Sequence, residues 1–328
     1  MIQTFKKQLA GLLVCISALA PSLAMAYPNG TVSLMVPYPA GGPSDVIARI
    51  FNARISKQLG APVIVENLGG VSGALAAQKV LSMPANGQML YQGSPNEVIL
   101  APLANAAVKF NAEDFQLIQL IGYGPMVLVV KKDLPANNAD EFITLAKKNS
   151  GRNALTYGSV GVGSMYHVVA EHLGQTIGAK MTHVPYKGAA PLLQDLAGGN
   201  VDFTIVPHFA AIDGLVEQGR VKVIAQFGAQ RAETLPKLPT VSEGKLLKNF
   251  SFSIWTGYMV KKGTPPNVIS TLQKAIQSSL NDPEVRESMR LQSQVLAKPM
   301  SMEEAEKFYN AEIAAYRKIA KSVGIERQ

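Results

Sequence analysis

The sequence predicts an α/β fold of about two domains, on three observations. Short apolar, β-prone runs alternate with helical patterns along most of the chain, as in sheets covered by helices. At 328 residues the chain is long for one core. A strand–turn–helix unit also occurs twice. Val127 to Pro135 resembles Gly257 to Pro265, each a β-prone run followed by two lysines, a turn and a proline. Two such strands would serve a pair of lobes joined by two crossings. Chance similarity between two such units is the alternative, and no tandem repeat of fixed period is present.

The first 26 residues read as a leader rather than as part of the fold. Lys6 and Lys7 precede the apolar run Leu9 to Ala20, and Ala24-Met25-Ala26 supplies an A-x-A cleavage pattern. That is a secretory signal peptide cleaved after Ala26, with Tyr27 as the first mature residue. The run is short of the roughly 20 residues a membrane span needs. Cys15, the single cysteine, is lost with the leader, and Val14 before it does not suit a lipoprotein signal. The mature chain then has no disulfide, thiolate metal site or cysteine nucleophile. Export to the periplasm also removes ATP and NAD from the expected partners.

Thr31 to Val36 reads as a buried strand. Pro43 to Leu59 reads as a helix, with Ile47, Ile50, Phe51, Ile55 and Leu59 at helical spacing and Gly60 as its stop. Val63 to Glu66 is a strand, Gly73 to Leu81 a helix, Met89 to Gln92 a strand, and Met126 to Val130 strongly β-prone. A similar unit follows: helix Asp140 to Asn149, strand Ala154 to Tyr157, helix Ser164 to Leu173, strand Thr182 to Val184, helix Ala190 to Ala197, and strands Val201 to Val206 and Val221 to Gln226. Helices at Pro266 to Leu280 and Met302 to Val323 end the chain, the last opened by a capping box of Ser301 and Glu304.

Composition is globular: 47% hydrophobic and 16% charged, too apolar for a disordered chain and too mixed for a multi-span membrane protein. The formal charge of +8 is spread without a basic block. It argues weakly for nucleic acid and better for anionic small molecules.

Two loops could carry binding chemistry. Pro37-Tyr38-Pro39-Ala40-Gly41-Gly42-Pro43-Ser44-Asp45 joins a strand to a helix. Its glycines let an anion approach the main chain, and Pro43 suits the first helical position. Asp45, near the third helical position, can cap the helix backwards onto a free N–H, or bind a ligand donor or a water. Gly158-Ser159-Val160-Gly161-Val162-Gly163-Ser164 repeats the arrangement, with Ser164 as N-cap. Its glycine order is neither a dinucleotide fingerprint nor a P-loop, and no nucleophile elbow is present. Two helix N-termini of this kind are suited to holding one carboxylate from both sides. A tight turn without ligand is the bland alternative for each loop taken alone.

The histidines do not suggest a metal. His167 and His172 are five apart rather than four, and His183 and His208 lack ligand partners nearby in the sequence. A secreted hydrolase using Ser164 and His167 is the competing reading, although no orienting third residue is evident. Capping for Ser164 and packing for His167 are the simpler roles.

Taken in order, the motifs resemble the Bug-type, TctC-like extracytoplasmic solute-binding proteins across the whole mature chain. They are Val36 to Gly42 with Asp45; Val65-Glu66-Asn67 with Gly69-Gly70; Gly158-Ser159 through Ser164 and His167; His183 to Gly188; Leu238 to Glu243; and Asp282 to Arg286. The resemblance implies a periplasmic-binding-protein fold of type II, with two α/β lobes joined by hinge strands around a ligand cleft. The lobes would be residues 27–124 plus 225–328 and residues 125–224. It implies a non-enzymatic protein without cofactor, presenting a carboxylated solute to a tripartite tricarboxylate transporter or a sensor kinase, as a monomer. The family's carboxylate contacts carry over to Tyr38, Ala40, Gly41, Gly42 and Asp45 on one side and to Ser159, Gly161, Gly163, Ser164 and His167 on the other. Ser94 and Asn96, in the loop Gly93-Ser94-Pro95-Asn96, would face the distal part of the ligand, together with Pro207 and His208. The chain departs from the family where Pro43 follows Gly42, since many members carry a third glycine. Pro207 and Phe209 also make the distal segment more apolar.

Overall fold

A computed structural model describes residues 27–149, 151–324 and 327. The expected leader, with Cys15 and the cleavage after Ala26, lies outside the described residues.

The first lobe begins β1 (Val32–Val36), α1 (Pro43–Leu59), β2 (Val63–Asn67), α2 (Ala74–Ser82) and β3 (Met89–Gly93). β1 lies between β2 and β3 and is parallel to both, which leaves both its faces to be covered by helices. Alternation divides the apolar residues accordingly. Leu34, Leu90 and Ile118 belong to one core with Phe51 of α1, whereas Met35, Tyr91 and Leu117 belong to the other. Each fully buried side chain of this size contributes about 1.5–3 kcal/mol. Pro43 opens α1, and Gly60, at φ 65°, closes it in the left-handed conformation.

A π-helical turn, Asn96–Leu100, and a short helical turn, Ala101–Ala104, follow β3. β4 then runs seventeen residues, from Phe115 to Lys131, far beyond the Met126 to Val130 run. The second lobe comprises α3 (Ala139–Lys148), β5 (Thr156–Ser159), α4 (Met165–Ile177), β6 (Thr182–Pro185), α5 (Ala189–Gly198), β7 (Phe203–Pro207), α6 (Ala210–Glu217) and β8 (Val221–Gln226). The chain returns with β9 (Ser253–Lys261), α7 (Pro266–Asn281), α8 (Pro283–Leu291), β10 (Val295–Leu296) and α9 (Met302–Ser322). The Ser301–Glu304 capping box opens α9 as expected. Among the described residues no helix is long and apolar enough to cross a membrane.

The strand order is β2-β1-β3-β9-β4-β7-β5-β6, with β10 and β8 also on β4. β4 joins the two halves: Phe115 to Pro125 pairs antiparallel with β9, and Met126 to Lys131 pairs with β7 and β8. Register shifts at Leu117/Gln119, Leu120/Gly122 and Leu128/Val129 are the bulges that let one strand bend between sheets. The two echoing segments are therefore both strands but not both crossings. β9 stays wholly within the first sheet, starting where Ser253 pairs with Pro125, and the return passes through residues 227–252.

Candidate ligand-binding cleft

Both glycine-rich loops lie at the seam between the lobes, the second against Ser72 and Ala104 and the first, through Pro39, against Gly188. In the first, Gly41 sits at φ 83°, and its N–H donates to Asp45 Oδ2 at 3.0 Å. Arg49 Nε lies 3.1 and 3.0 Å from the two Asp45 oxygens. Burial pushes the Asp45 carboxyl up, but Arg49 and the Gly41 N–H outweigh it and hold it below the usual range. Asp45 is thus committed to shaping its own turn. Ala40 and Gly41 are exposed at the tip, and Gly42 is the N-cap residue of α1.

In the second loop Ser164 caps α4 as expected: its Oγ accepts from the His167 N–H at 3.4 Å and donates to the Gly161 carbonyl at 2.8 Å. The His167 Nδ1 accepts from the Gly163 N–H at 3.0 Å. The side chains of Ser164 and His167 are therefore spent on separate backbone groups and do not form the nucleophile–base pair a hydrolase would need. Ser159 Oγ receives the Gly161 N–H at 3.1 Å.

Gly161 and Gly163 are glycines because the opposite lobe presses on them. A Cβ on Gly161, at φ 129°, would lie 2.5 Å from Ser72 Oγ. One on Gly163, at φ 76°, would overlap the Cβ of Ala104. Ser72 also donates to the Val162 carbonyl at 2.7 Å. Val71 and Ser72 hold left-handed φ values of 50° and 52° to make that reach, a strained backbone of the kind found at functional seams. A second bridge joins the Met165 N–H, in the first turn of α4, to Asn96 Oδ1 at 2.6 Å.

At this seam lies a small cavity lined by Tyr38, Pro43, Ser44, Ser94, Asn96, Tyr166 and Pro207, and closed by Ile47, Ile254, Thr256 and Gln294. Four expected residues (Tyr38, Ser94, Asn96, Pro207) reach it. The first-turn residues Ser44 and Tyr166 bring the N-terminal ends of α1 and α4 to its wall, and no lysine or arginine lines it. Its volume is about 20 Å³, room for roughly one water. Ala40, Gly41, Gly42, Asp45, Ser159, Gly161, Gly163, Ser164 and His167 lie outside the lining. His208 is buried, with Nδ1 2.9 Å from Ser293 Oγ and Nε2 3.1 Å from Asp213. Its ring is engaged outside the cavity. The lining residues Ile254, Thr256 and Gln294 come from strand β9 and the approach to β10, and no local motif announces them. A roomier recess of about 150 Å³, lined by Glu113, Lys262, Glu306 and Tyr309 among others, lies elsewhere.

The fold also stacks two histidines that are sixteen positions apart in the sequence. The rings of His167 and His183 are 4.1 Å apart, with Tyr157 against His183 at 5.0 Å, and His183 Nε2 lies 2.6 Å from Ser159 Oγ. Among the described residues no cluster of three or more His, Cys, Asp or Glu could hold a metal. Burial, with His167 adding to it, pushes the His183 ring down to about 4. The folded state therefore resists protonation that the unfolded chain accepts near pH 6.5. Stability supplied by neutral His183 is present above that pH and lost as pH falls toward 4. Between pH 7 and pH 4, the melting temperature of wild type should fall further than that of His183→Gln; parallel curves would remove His183 from the acid limb.

The model of the tripartite tricarboxylate transporter family receptor matches residues 47–325 of the chain. Among solved structures, a Rhodopseudomonas palustris protein with adipate is 30% identical with a TM-score of 0.85, covering 92% of this chain and 100% of its own. The periplasmic binding protein BugD is 29% identical with a TM-score of 0.83, over 92% and 100%. MatC from Rhodopseudomonas palustris, with bound malate, is 26% identical with a TM-score of 0.82, over 89% and 99%.

Proposed function

The chain belongs to the tripartite tricarboxylate transporter receptor family, and on that premise we propose that it captures a small carboxylated organic solute between its lobes in the periplasm. It passes that solute to the membrane components of the transporter or to a sensor kinase. The family consists of binding proteins rather than enzymes. One observation carries the choice of an anion: the first turns of α1 and α4, from different lobes, meet at one cavity with no cationic side chain in its lining. Pro43 has no N–H, and the Met165 and His167 N–H groups go to Asn96 and Ser164. The donors for an anion are therefore the Ser44, Asp45 and Tyr166 N–H groups that the helices themselves leave unpaired, and the helix pole favours negative charge.

We assign residues 27–124 plus 225–328 to one lobe and 125–224 to the other, in a monomer exported by cleavage after Ala26. Tyr38, Ser94, Asn96 and Pro207 touch the solute in this reading. Ala40, Gly41, Gly42 and Asp45 form the turn that aims the α1 terminus. Ser159, Gly161, Gly163, Ser164 and His167 do the same for α4, and His208 supports Pro207 from behind. The adipate and malate held by relatives favour dicarboxylates as first candidates.

A thermal-shift screen of mono-, di- and tricarboxylates should raise the melting temperature for at least one class. The same ligand should reduce the radius of gyration in X-ray scattering, because a solute touching both lobes favours the closed state by its differential affinity. Absence of stabilisation by every carboxylate would overturn the reading, and saturable binding at constant radius would overturn the two-lobe clamp.

A further inference from the structure

Glu97 follows Asn96 in the π-helical turn after β3 and is 1% exposed. No ion pair among the described residues involves it. Its carboxyl accepts from the Ser94 N–H and shares a hydrogen bond with Ser94 Oγ at 2.9 Å and another with the Tyr38 hydroxyl at 3.0 Å. Asn96 Nδ2 donates to the same Tyr38 oxygen at 3.1 Å while Asn96 Oδ1 holds the Met165 N–H of the other lobe. Three cavity-lining side chains therefore hang on one buried acid that itself lies outside the lining.

We propose that Glu97 is a positioning residue that determines specificity: its carboxyl sets whether the Ser94 and Tyr38 hydroxyls offer protons or lone pairs to the solute. This rests on the reading that an anion occupies the cleft. With Glu97 ionised, both hydroxyl protons point at it, and lone pairs face the cavity. That arrangement repels a carboxylate. With Glu97 protonated, its own O–H is donated to one of the two hydroxyl oxygens, and that hydroxyl turns its proton toward the solute. One proton taken from solvent thus converts an acceptor in the cleft wall to a donor. The titratable groups facing Glu97 are all tyrosines: Tyr38 from the first loop, Tyr91 from β3, Tyr166 from α4 and Tyr309 from α9. None supplies a cation, and burial pushes the Glu97 carboxyl up to about 8, so the neutral acid prevails at neutral pH.

Titration calorimetry with adipate and malate, run at pH 8 in buffers of different ionisation enthalpy, reads the proton directly. Wild type should take up about half a proton per ligand bound, and its affinity should fall about tenfold from pH 6 to pH 9. Glu97→Gln should take up none from this site and lose that part of the pH dependence. A merely structural role for Glu97 would move neither quantity. Because uptake is read on wild type, the test survives a variant that fails to fold, and zero uptake by wild type overturns the proposal. The ligand-free proteins supply a second arm. Folded Glu97 keeps a proton that the unfolded chain releases near its ordinary value. Wild type should therefore lose melting temperature relative to Glu97→Gln as pH rises from about 4.5 to 8. If neither probe binds wild type, the dicarboxylate reading fails and this arm alone decides for Glu97; a pH-independent difference between the two proteins overturns the proposal.

Discussion

Gly163→Val is expected to weaken carboxylate binding by about a hundredfold or more, equivalent to roughly 2.7 kcal/mol. The new Cβ would overlap that of Ala104 on the facing lobe, and φ 76° at this position disfavours a β-branched side chain. The strand before and the helix after the loop are untouched, so circular dichroism should show an intact fold. What fails is closure, and the scattering radius of the variant should stay large when ligand is added. Ala104→Gly in the same chain should restore part of the affinity, because it removes the colliding atom. Gly161→Val should act the same way against Ser72. Lys187, exposed on the loop after β6, is the control: Lys187→Ala should bind like wild type. Abolished binding in Lys187→Ala with unaltered binding in Gly163→Val would mean that a side-chain cation, not the closing seam, holds the ligand.

Phe203→Ala should cost about 3–5 kcal/mol of unfolding free energy in urea titration. Phe203 of β7 is fully buried, 4.8 Å edge-on to Phe142 of α3 and 5.6 Å from Tyr157 of β5. Removing the ring leaves a cavity that the flanking sheet and helix cannot fill without moving backbone. Tyr157 also carries the His183–His167 stack beneath the second loop. Affinity should therefore drop along with stability, whereas Phe203→Leu should keep most of both. A loss below about 1 kcal/mol would show that the second lobe repacks freely around this position.

Most helices and strands were legible because local patterns specify them. α1 was bracketed by Pro43 and Gly60, β8 by its apolar run, and α9 by its Ser301–Glu304 box. α8 carries start signals too, Asp282 as N-cap and Pro283 at the first helical position. The π-helical turn at Asn96 and the seventeen-residue length of β4 left no such mark. A π turn has no sequence period of its own, and glycines at 122 and 124 and a proline at 125 interrupt the β-prone pattern where the strand bends.

For the site, the sequence by itself determined the two strand-to-helix loops, the capping by Ser164 and the family to which the chain belongs. Those features depend on glycine, proline and serine at fixed offsets along the chain. Only the tertiary structure decided why the second loop needs its glycines, which is the approach of Ser72 and Ala104 from residues about 60 to 90 positions away. It alone turned His208 toward Ser293 and Asp213, stacked His167 on His183, and buried Glu97 beneath Ser94 and Tyr38. Burial and cross-lobe contact depend on which distant segments a closed chain brings together, and no local spacing encodes that.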